Sequence, residues 1–405
     1  MVSACHSRCN VENLIHDNFP PMTIESIIPA HLCETGTWPE FINSLCEEIH
    51  ALAESEESRF AFAESCSSGL AAATIGAIPG ISQYFCGSKV TYRDKTKHEW
   101  LAGTHGTLSQ YSAVSEPTAD EMVAGLLTST SEADIGIAIT GHLGPDAPSE
   151  IDGHVFAAVG FRDEADTGSF RVWTCEFQLN CQARGDRQRE AASLVLWCLR
   201  QVLLIKHAHR FVQQAYSAPV YITDSPDRME QSSDLLFPGA FNPIHDGHRE
   251  MAEIASTLGD QAVVLEVSIE NVDKPTLSQT DCICRILPLL FEFPVLLTAA
   301  ATFVEKSYKN NITFVVGADT IARIGEDRYY NDEFSVDDAI SVFSAKGTRF
   351  VVFGREMSEL QHTGTATKGH FQSLKSLDLP CTLTKLCISV EESSFRSDLS
   401  SRDLR

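Results

Sequence analysis

The segment FPGAFNPIHDGHREM, Phe237–Met251, is the most informative part of this 405-residue chain. It follows a short apolar strand pattern and places His245 and His248 where a loop leads into a helix. Gly239 and Gly247 allow close approach to the backbone, and the first helical turn offers N–H groups and the positive end of its dipole. Imidazoles and amides so arranged suit a triphosphate, because they can hold its oxygens while charge moves during group transfer. The segment therefore predicts a nucleotide site directly after a strand.

Strand and helix patterns alternate through the rest of the second half. The strand at Leu235–Pro238 is followed by four further predicted strands, at Ala262–Ser268, Ile312–Val316, Arg349–Phe353 and Leu383–Val390. Alternation of this kind predicts a parallel sheet with helices on its faces. The apolar run Leu287–Val304 contains Glu292 and two prolines and barely reaches bilayer length. We therefore interpret it as a buried helix followed by a core strand rather than a membrane span.

The first half of the chain also has an α/β pattern. Helical periodicity begins near Trp38, and a long amphipathic pattern at Asp186–Leu204 closes the unit. A stretch without apolar periodicity, containing Pro219 and Pro226, separates the two halves. We predict a poorly ordered extension at 1–36, an α/β domain at 37–206, a linker at 207–233 and a second α/β domain at 234–405.

Charge and cysteine usage exclude several classes of protein. The chain has 31 basic and 55 acidic residues, a formal net charge of −24, which argues against binding a nucleic-acid polymer. Its 13 cysteines are an odd number and none is spaced C-x-x-C, while the N-terminus lacks a basic segment followed by an apolar run. We expect a reduced, cytoplasmic protein with no membrane association.

The segment AESCSSGL, Ala63–Leu70, is the second informative string. It runs from a strand into a helix through small residues. A serine at the start of a helix can be a cap or a nucleophile. On this segment alone, the cap is the simpler interpretation of Ser65.

The first half resembles the C-terminal domain of the competence-protein CinA family, the nicotinamide-nucleotide amidohydrolases. The resemblance rests on five motifs in order, AESCSSG, VTYRDKTKHEWL (Val90–Leu101), YSAVSE (Tyr111–Glu116), Thr140–Pro145 and Gly185–Arg187. Three segments depart from the family pattern. The glycine-rich segment that usually follows Gly-Pro is shortened to DAPSEIDG, Asp146–Gly153. Cys66-Ser67-Ser68-Gly69 stands where the family has C-T-G-G, and Ile151-Asp152-Gly153-His154 stands where it has P-V-G-T.

This resemblance implies a catalytic pair for removing ammonia from nicotinamide mononucleotide. Ser65 would attack the carboxamide carbon, and Lys97 would take its proton if burial or nearby cations lower the lysine pKa. Lys95 competes for the base role, although family spacing selects Lys97. The resemblance further implies that Tyr92 orients the pair, that Thr140, Gly141 and Gly144 line the pocket, and that Arg187 holds the substrate phosphate.

The second half resembles the nucleotidyltransferase superfamily with the signature G-x-F-x-P-x-H-x-G-H. The matching residues are Gly239, Phe241, Pro243, His245, Gly247 and His248. Within this superfamily, the nicotinamide or nicotinate mononucleotide adenylyltransferases are most similar. Their G-x-D segment corresponds to FVVGADT, Phe314–Thr320, and their I-S-S-T-x-I-R motif to LSSRDLR, Leu399–Arg405. An alternative match for the last motif, Ser393, Ser394 and Arg396, is two residues short.

The second resemblance implies a fold and a set of roles. The fold is a Rossmann-like domain with a parallel sheet. His245 and His248 would contact the ATP phosphates, next to the loop of Gly239 and Phe241. The remaining implied binding residues are Gly317 and Asp319 for the nucleotide and Ser400, Ser401 and Arg405 for the phosphates. Lys274 is a candidate for the acceptor's phosphate, with a solvated surface role as the alternative. Mg²⁺ is expected with ATP, bridging phosphate oxygens, and we assign no metal ligand in the protein.

The two halves together predict a bifunctional enzyme of pyridine-nucleotide salvage that feeds NAD synthesis. The first would convert nicotinamide mononucleotide to nicotinate mononucleotide, and the second would join a pyridine mononucleotide to ATP. An alternative keeps only the transferase active and makes the first half a binding or regulatory module. The acceptor could then be another small phosphate, such as phosphopantetheine, or a phosphocholine-like compound with CTP as the nucleotide. A scaffold of two degenerate domains is a third reading. Formation of a homo-oligomer stays open.

Overall fold

The computed structural model describes residues 28, 32, 37–101, 105–162, 170–223, 233–270, 275–290, 292–330, 334–357 and 370–396. Most of the predicted N-terminal extension lies outside these ranges. The chain divides into two compact units, Met1–His207 and Ala208–Arg405. Each unit is built on its own large sheet.

The first unit contains six helices and five strands within the described residues. The helices are α1 (Trp38–Ser55), α2 (Leu70–Ile75), α3 (Asp94–Leu101), α4 (His105–Tyr111), α5 (Glu116–Ser129) and α6 (Arg184–Ala215), which continues past the division between the units. The strands are β1 (Phe60–Glu64), β2 (Phe85–Val90), β3 (Ile135–Gly141), β4 (His154–Arg162) and β5 (Phe170–Gln178).

The sheet of the first unit has the order β2-β1-β3-β4-β5. Strands β2, β1 and β3 are parallel, and β4 and β5 add antiparallel neighbours. All five residues of β1, FAFAE, are buried, as expected for a central strand covered on both faces. Because the carboxyl ends of parallel strands meet at one edge, this topology brings Ser65, Thr91 and Thr140 to the same edge of the sheet.

The second unit alternates strands and helices. Its strands are β6 (Val220–Ile222), β7 (Leu235–Pro238), β8 (Val264–Ser268), β9 (Val295–Thr298), β10 (Thr313–Gly317), β11 (Arg349–Phe353), β12 (Arg355–Met357), β13 (His370–Gln372) and β14 (Cys387–Ser389). Its helices are α7 (Asp246–Gly259), α8 (Gln279–Leu290), α9 (Phe303–Lys306), α10 (Ala318–Ile324), α11 (Val336–Lys346) and α12 (Cys381–Thr384).

The large sheet of this unit has the order β14-β11-β10-β7-β8-β9-β6. From β9 to β14 every pairing is parallel. In chain order these strands follow the 3-2-1-4-5-6 arrangement of a doubly wound sheet, whose ligands bind beyond the carboxyl ends of the strands where the order reverses. The expected α/β fold with a parallel, Rossmann-like sheet is confirmed, and the reversal lies between β7 and β10.

Two segments differ in detail from the sequence-based expectations, and one cysteine departs from the expected reduced state. The stretch 207–233, predicted as a linker, includes the end of α6 and strand β6, which pairs antiparallel with β9. Three residues are too few to show a strand periodicity, so only the pairing reveals β6. Residues 383–390, predicted as one strand, form the end of α12 and the short strand β14. Cys181 is disulfide-bonded, whereas nine other described cysteines are free.

Two apolar segments are packed inside the protein. The run 287–304 forms the end of α8 and the fully buried strand β9, as predicted. Among the described helices, α6 alone is long and apolar enough to cross a membrane, and 94% of its apolar window is buried within the protein. A buried core helix of a globular domain has the same length and apolar composition.

Candidate active sites

Ser65 and Lys97 form a buried hydrogen-bonded pair at the carboxyl edge of the first sheet. Ser65 directly follows β1, and its backbone N–H donates to the carbonyl of Ile139 on β3, at 3.0 Å. The Lys97 ammonium on α3 donates to the Ser65 hydroxyl at 3.0 Å. Ser65 is 6% exposed and Lys97 is 3% exposed. The structure therefore brings together the two residues expected to form the catalytic pair.

The surroundings of Lys97 favour its neutral amine. Burial is the main cause of a lowered pKa for Lys97, and Asp94 and Cys66 oppose this shift in part. The amine is also fixed by a 3.1 Å hydrogen bond to the carbonyl of Thr91. A neutral amine so placed can accept the proton of the Ser65 hydroxyl, as a general base must. The neighbouring thiol of Cys66 is a poor nucleophile, because burial raises its pKa to about 12.

Glu64 organises the turn that carries Ser65. Its fully buried carboxylate accepts hydrogen bonds from the hydroxyls of Ser67 and Ser88 at 2.8 and 3.1 Å. It also accepts from the backbone N–H groups of Ala71 and Ala72 at 3.1 and 3.0 Å, which satisfies the start of α2. Sequence reasoning missed this role, although an acidic residue ending a fully apolar strand is a signal that could have identified it.

The backbone of this turn is left-handed at two consecutive positions. Ser68 has φ +57° and Gly69 has φ +87°. A glycine adopts such angles without strain, whereas an L-residue with a side chain pays for them. Ser68 is therefore the strained member of the turn, at a position where the CinA pattern has glycine.

Tyr92 and the Gly144 turn are joined by an arginine that sequence reasoning did not select. Arg184, the first residue of α6, donates to the Tyr92 hydroxyl at 2.7 Å and to the carbonyl of Gly144. Tyr92 is half-exposed, and its hydroxyl is directed to Arg184. Thr140, at the end of β3, is buried and donates to the carbonyl of Ala113 at 2.7 Å. These contacts connect three of the five motif segments of the first half, those that contain Tyr92, Ala113 and Thr140–Pro145.

Arg187 is occupied by an internal partner. Its guanidinium binds both carboxylate oxygens of Asp152, at 2.7 and 3.0 Å, and its Nε donates to the carbonyl of Cys181 at 2.7 Å. The same contact holds the pKa of Asp152 below its usual value. The sequence predicted that Arg187 holds a substrate phosphate, but here Asp152 neutralises its charge. Asp152 is one of the residues that depart from the family pattern.

The glycines at positions 141 and 144 are required by close neighbours. A Cβ atom on Gly141 would lie 2.3 Å from Val155 Cγ1. Gly144 has φ +64°, and a Cβ there would lie 2.9 Å from a nitrogen of Arg187. The Gly141–Gly144 loop thus packs directly against the Asp152–Arg187 pair.

In the second unit, His245 and His248 form a stacked pair at the start of α7. His245 is the N-cap residue in an extended conformation, and its backbone N–H donates to His248 Nδ1 at 3.3 Å. The ring centroids are 3.7 Å apart. Phe241 is buried and packs edge-on against His248 with centroids 5.1 Å apart. The structure therefore brings the motif's two histidines and its phenylalanine into one cluster.

Two glycines shape the backbone at the ends of β7 and β10. A Cβ atom on Gly239 would lie 2.6 Å from the Phe241 ring, so that ring folds over a position that only glycine can occupy without a shift. Gly317 is the N-cap of α10, and a Cβ there would lie 2.7 Å from Asp319 Oδ1. Asp319 lies in the first turn of α10. Both predicted nucleotide segments thus lie at the strand ends on either side of the reversal in strand order.

A cavity of about 270 Å³ opens beyond the carboxyl ends of β7 and β8. Gly239 and Ala240 line one side, and Thr320 on α10 lines another. Lys306, which lines the cavity, donates to the fully buried Glu266 at 2.6 Å, and Thr298 donates to the same carboxylate at 2.5 Å. Its position at the reversal in strand order makes this cavity the candidate substrate pocket of the second unit.

Some predicted residues cannot be placed. Lys274, Ser400, Ser401 and Arg405 lie outside the described residues. Within the described ranges, no group of three or more His, Cys, Asp or Glu side chains could hold a metal ion.

Comparison with known proteins finds a matching family profile in each half of the chain. Residues 42–203 match the family profile of the CinA C-terminal domain, and residues 236–336 match the cytidylyltransferase-like profile. A CinA-like protein of Chloroherpeton thalassium is 41% identical over 123 residues, 30% of this chain and 29% of that protein. The nicotinamide-nucleotide amidohydrolase PncC of Enterobacter agglomerans is 39% identical over 108 residues, 27% of this chain and 65% of that protein. The chain thus spans less than two thirds of the length of these relatives.

Solved structures of CinA-type proteins also resemble part of the chain. A CinA superfamily protein from Klebsiella pneumoniae is 27% identical and covers 40% of this chain and 97% of its own, with a TM-score of 0.36. A competence/damage-inducible protein from Agrobacterium tumefaciens is 27% identical and covers 40% of this chain and 94% of its own, with a TM-score of 0.37. From the sequence matches to both halves, the chain joins an amidohydrolase-like domain of the CinA/PncC type to a cytidylyltransferase-like nucleotidyltransferase domain.

Proposed function

We propose that this chain is a bifunctional pyridine-nucleotide enzyme that deamidates nicotinamide mononucleotide and adenylylates a pyridine mononucleotide. The observation that carries the first activity is the 3.0 Å hydrogen bond between the buried Lys97 and Ser65 side chains. The stacked pair His245 and His248 at the start of α7 supports the second.

In the first reaction, Ser65 Oγ attacks the carboxamide carbon while its proton passes to the Lys97 amine. Breaking the carbon–nitrogen bond transfers that proton to the departing nitrogen, so ammonia leaves and an ester on Ser65 remains. Water then attacks the ester, again losing a proton to Lys97, and the proton returns to Ser65 as the carboxylate leaves. The sum is amide plus water giving carboxylic acid plus ammonia, which at neutral pH become carboxylate plus ammonium.

In the second reaction, a phosphate oxygen of the mononucleotide attacks the α-phosphorus of ATP, and pyrophosphate leaves. His245 and His248 would hold the phosphates as charge shifts to the leaving group. His248 packs against Phe241 and stacks on His245, so the pair is already oriented. Mg²⁺ is expected with ATP, where phosphate oxygens and water would hold it. When bound, Mg²⁺ would neutralise phosphate charge.

The deciding experiment incubates the full chain with nicotinamide mononucleotide, ATP and Mg²⁺, and follows ammonia release and product masses. We expect nicotinate adenine dinucleotide from the wild type. Ser65→Ala and Lys97→Met should release no ammonia above background and yield only the nicotinamide dinucleotide. Lys95→Met is the matched control, because Lys95 is 80% exposed and pairs with Glu99. Ammonia release by Ser65→Ala at the wild-type rate would refute the first activity.

A second candidate keeps the transferase and makes the first unit a binding or regulatory module. The observation that favours it is the Asp152–Arg187 pair, which occupies the arginine expected to bind a substrate phosphate. In that case the wild type would release no ammonia. The transferase would use another small phosphate acceptor, such as phosphopantetheine, or would use CTP in place of ATP as the nucleotide donor. Pyrophosphate release measured across these acceptors with ATP and with CTP separates the two candidates.

A further inference from the structure

The cavity of the second unit carries local positive charge in a chain of formal net charge −24. Arg285, Lys306 and Arg323 line it, and no acidic residue is recorded among its described lining residues. Apolar and aromatic side chains, among them Phe303 and Tyr330, form much of the remaining wall. Such a composition suits a compact ligand with a planar ring and an oxyanion.

The three basic side chains differ in their availability to a ligand. Lys306 is held by the buried carboxylate of Glu266 at 2.6 Å, which neutralises its charge within the protein. Arg323 is exposed to solvent. Arg285 is half-buried, and in the part of the chain that the structure describes no acceptor lies within hydrogen-bond distance of its buried Nε. A guanidinium N–H withdrawn from water without an acceptor is unfavourable, so Arg285 gains most from a bound oxyanion.

We propose that Arg285 binds the phosphate of the acceptor substrate in this cavity. The guanidinium offers parallel N–H groups that match two phosphate oxygens. Gly239 lines the same cavity and begins the loop that leads to His248, so an acceptor held here lies next to the loop that carries the histidine pair. Pro275, which follows the acceptor-phosphate candidate Lys274 in the chain, also lines the cavity. This inference rests on the proposed transferase activity and adds to it a residue that lies outside every motif.

Direct binding tests the proposal without requiring turnover. Nicotinamide mononucleotide is titrated calorimetrically into the full chain without ATP, in a Ser65→Ala background that prevents its hydrolysis. Arg285→Gln should weaken one binding event by about 10- to 100-fold, the range for a lost charged hydrogen bond, and Arg285→Lys should weaken it less. Any binding event in the first unit should stay unchanged in these variants. Arg349→Gln is the control. This exposed arginine is the first residue of β11, so it lies at the amino ends of the parallel strands, away from the cavity at their carboxyl ends.

Nicotinamide riboside, which lacks the phosphate, makes the test specific. It should bind the parent and Arg285→Gln equally. Arg285→Gln and Arg285→Lys should both melt at the temperature of the parent. Equal binding of the mononucleotide to both proteins overturns the proposal, as does an equal loss of mononucleotide and riboside.

Transfer by the wild type is measured separately with ATP. If transfer occurs and Arg285→Gln leaves the acceptor KM unchanged, the transferase stands and this inference fails. If binding depends on Arg285 but no acceptor is adenylylated, this site stands and the transferase fails.

Discussion

The protonation state of Lys97 should make the rate of the first proposed reaction depend on pH. Its pKa is lowered from the ordinary 10.5 by burial, and only the neutral amine can accept the Ser65 proton. We expect kcat/KM for ammonia release to rise with pH to a plateau, with a midpoint below 10.5. A rate that rises nowhere as the pH is increased to 10.5 would contradict this role for Lys97.

The same residue has a matching effect on stability. Because the folded state disfavours the protonated amine, the unfolded chain binds more protons between the folded pKa and 10.5. Stability should therefore rise with pH across that window and be lowest below it. Denaturant unfolding of wild type and Lys97→Met at several pH values checks the sign, since the variant should lack this component while Lys95→Met retains it.

Asp152 controls the charge that Arg187 can offer. Asp152→Asn keeps the shape of the side chain and removes its negative charge, so Arg187 becomes a net cation beside the Gly144 turn. If the first unit takes a phosphorylated substrate, its KM for nicotinamide mononucleotide should fall by about 3- to 10-fold, as expected for a partly exposed ion pair. Nicotinamide riboside should show no such gain. An increase in the mononucleotide KM would mean that Asp152 itself serves the substrate.

Which site residues the sequence could predict depends on how local their contacts are. Ser65, Lys97, His245 and His248 lie in short motifs whose spacing already indicates their chemistry. The partners that set their environment come from distant parts of the chain, as with Asp152 beside Arg187. Arg285 belongs to no motif, and only the assembled cavity gives it a role.

At the scale of elements, the β7–α7 connection places the histidine pair by steric exclusion. A Cβ atom on Gly239 would lie 2.6 Å from the ring of Phe241, which packs against His248. Gly239→Ala should therefore displace that ring, cost about 1–3 kcal/mol of stability through overpacking, and reduce transfer kcat by about 10-fold, equivalent to 1.4 kcal/mol.

A matched glycine provides the control for this prediction. A Cβ on Gly185 in the first unit would meet its nearest neighbour, Arg189, at an ordinary 3.6 Å. Gly185→Ala should leave the transfer rate unchanged. Thermal unfolding and steady-state transfer rates measure both effects, and a Gly239→Ala enzyme with wild-type kcat would show that the aromatic cluster does not position His248.

The elements that the sequence predicted well are those with strong periodicity or full burial. Strands β1, β8 and β11 are mostly apolar runs, as expected for strands of a parallel sheet that is covered on both faces. Strand β6 escaped prediction because three residues at a sheet edge are stabilised by pairing with β9 rather than by their own pattern. The short helix before β14 was missed for a similar reason, since four residues do not establish a helical period.

At the scale of the whole molecule, the two proposed activities should be separable. Each proposed catalytic cluster lies within a different unit, on a sheet of its own. Ser65→Ala should abolish ammonia release and leave the transfer rate within about 2-fold, inside the usual limit of additivity for independent sites. His248→Ala should do the reverse. A drop of more than tenfold in ammonia release by His248→Ala, with an unchanged circular dichroism spectrum, would reveal coupling between the units.

The buried contact between Glu266 and Lys306 has a consequence for how mutational scans of this protein are interpreted. Removing the lysine alone strands a carboxylate inside the sheet, and breaking a buried ion pair in this way costs about 3–5 kcal/mol. Lys306→Ala would therefore score as an inactivating change whether or not Lys306 ever meets a substrate. Only a compensated pair, Lys306→Met together with Glu266→Gln, separates loss of folded protein from loss of chemistry. In sequence comparisons the two positions should therefore vary together.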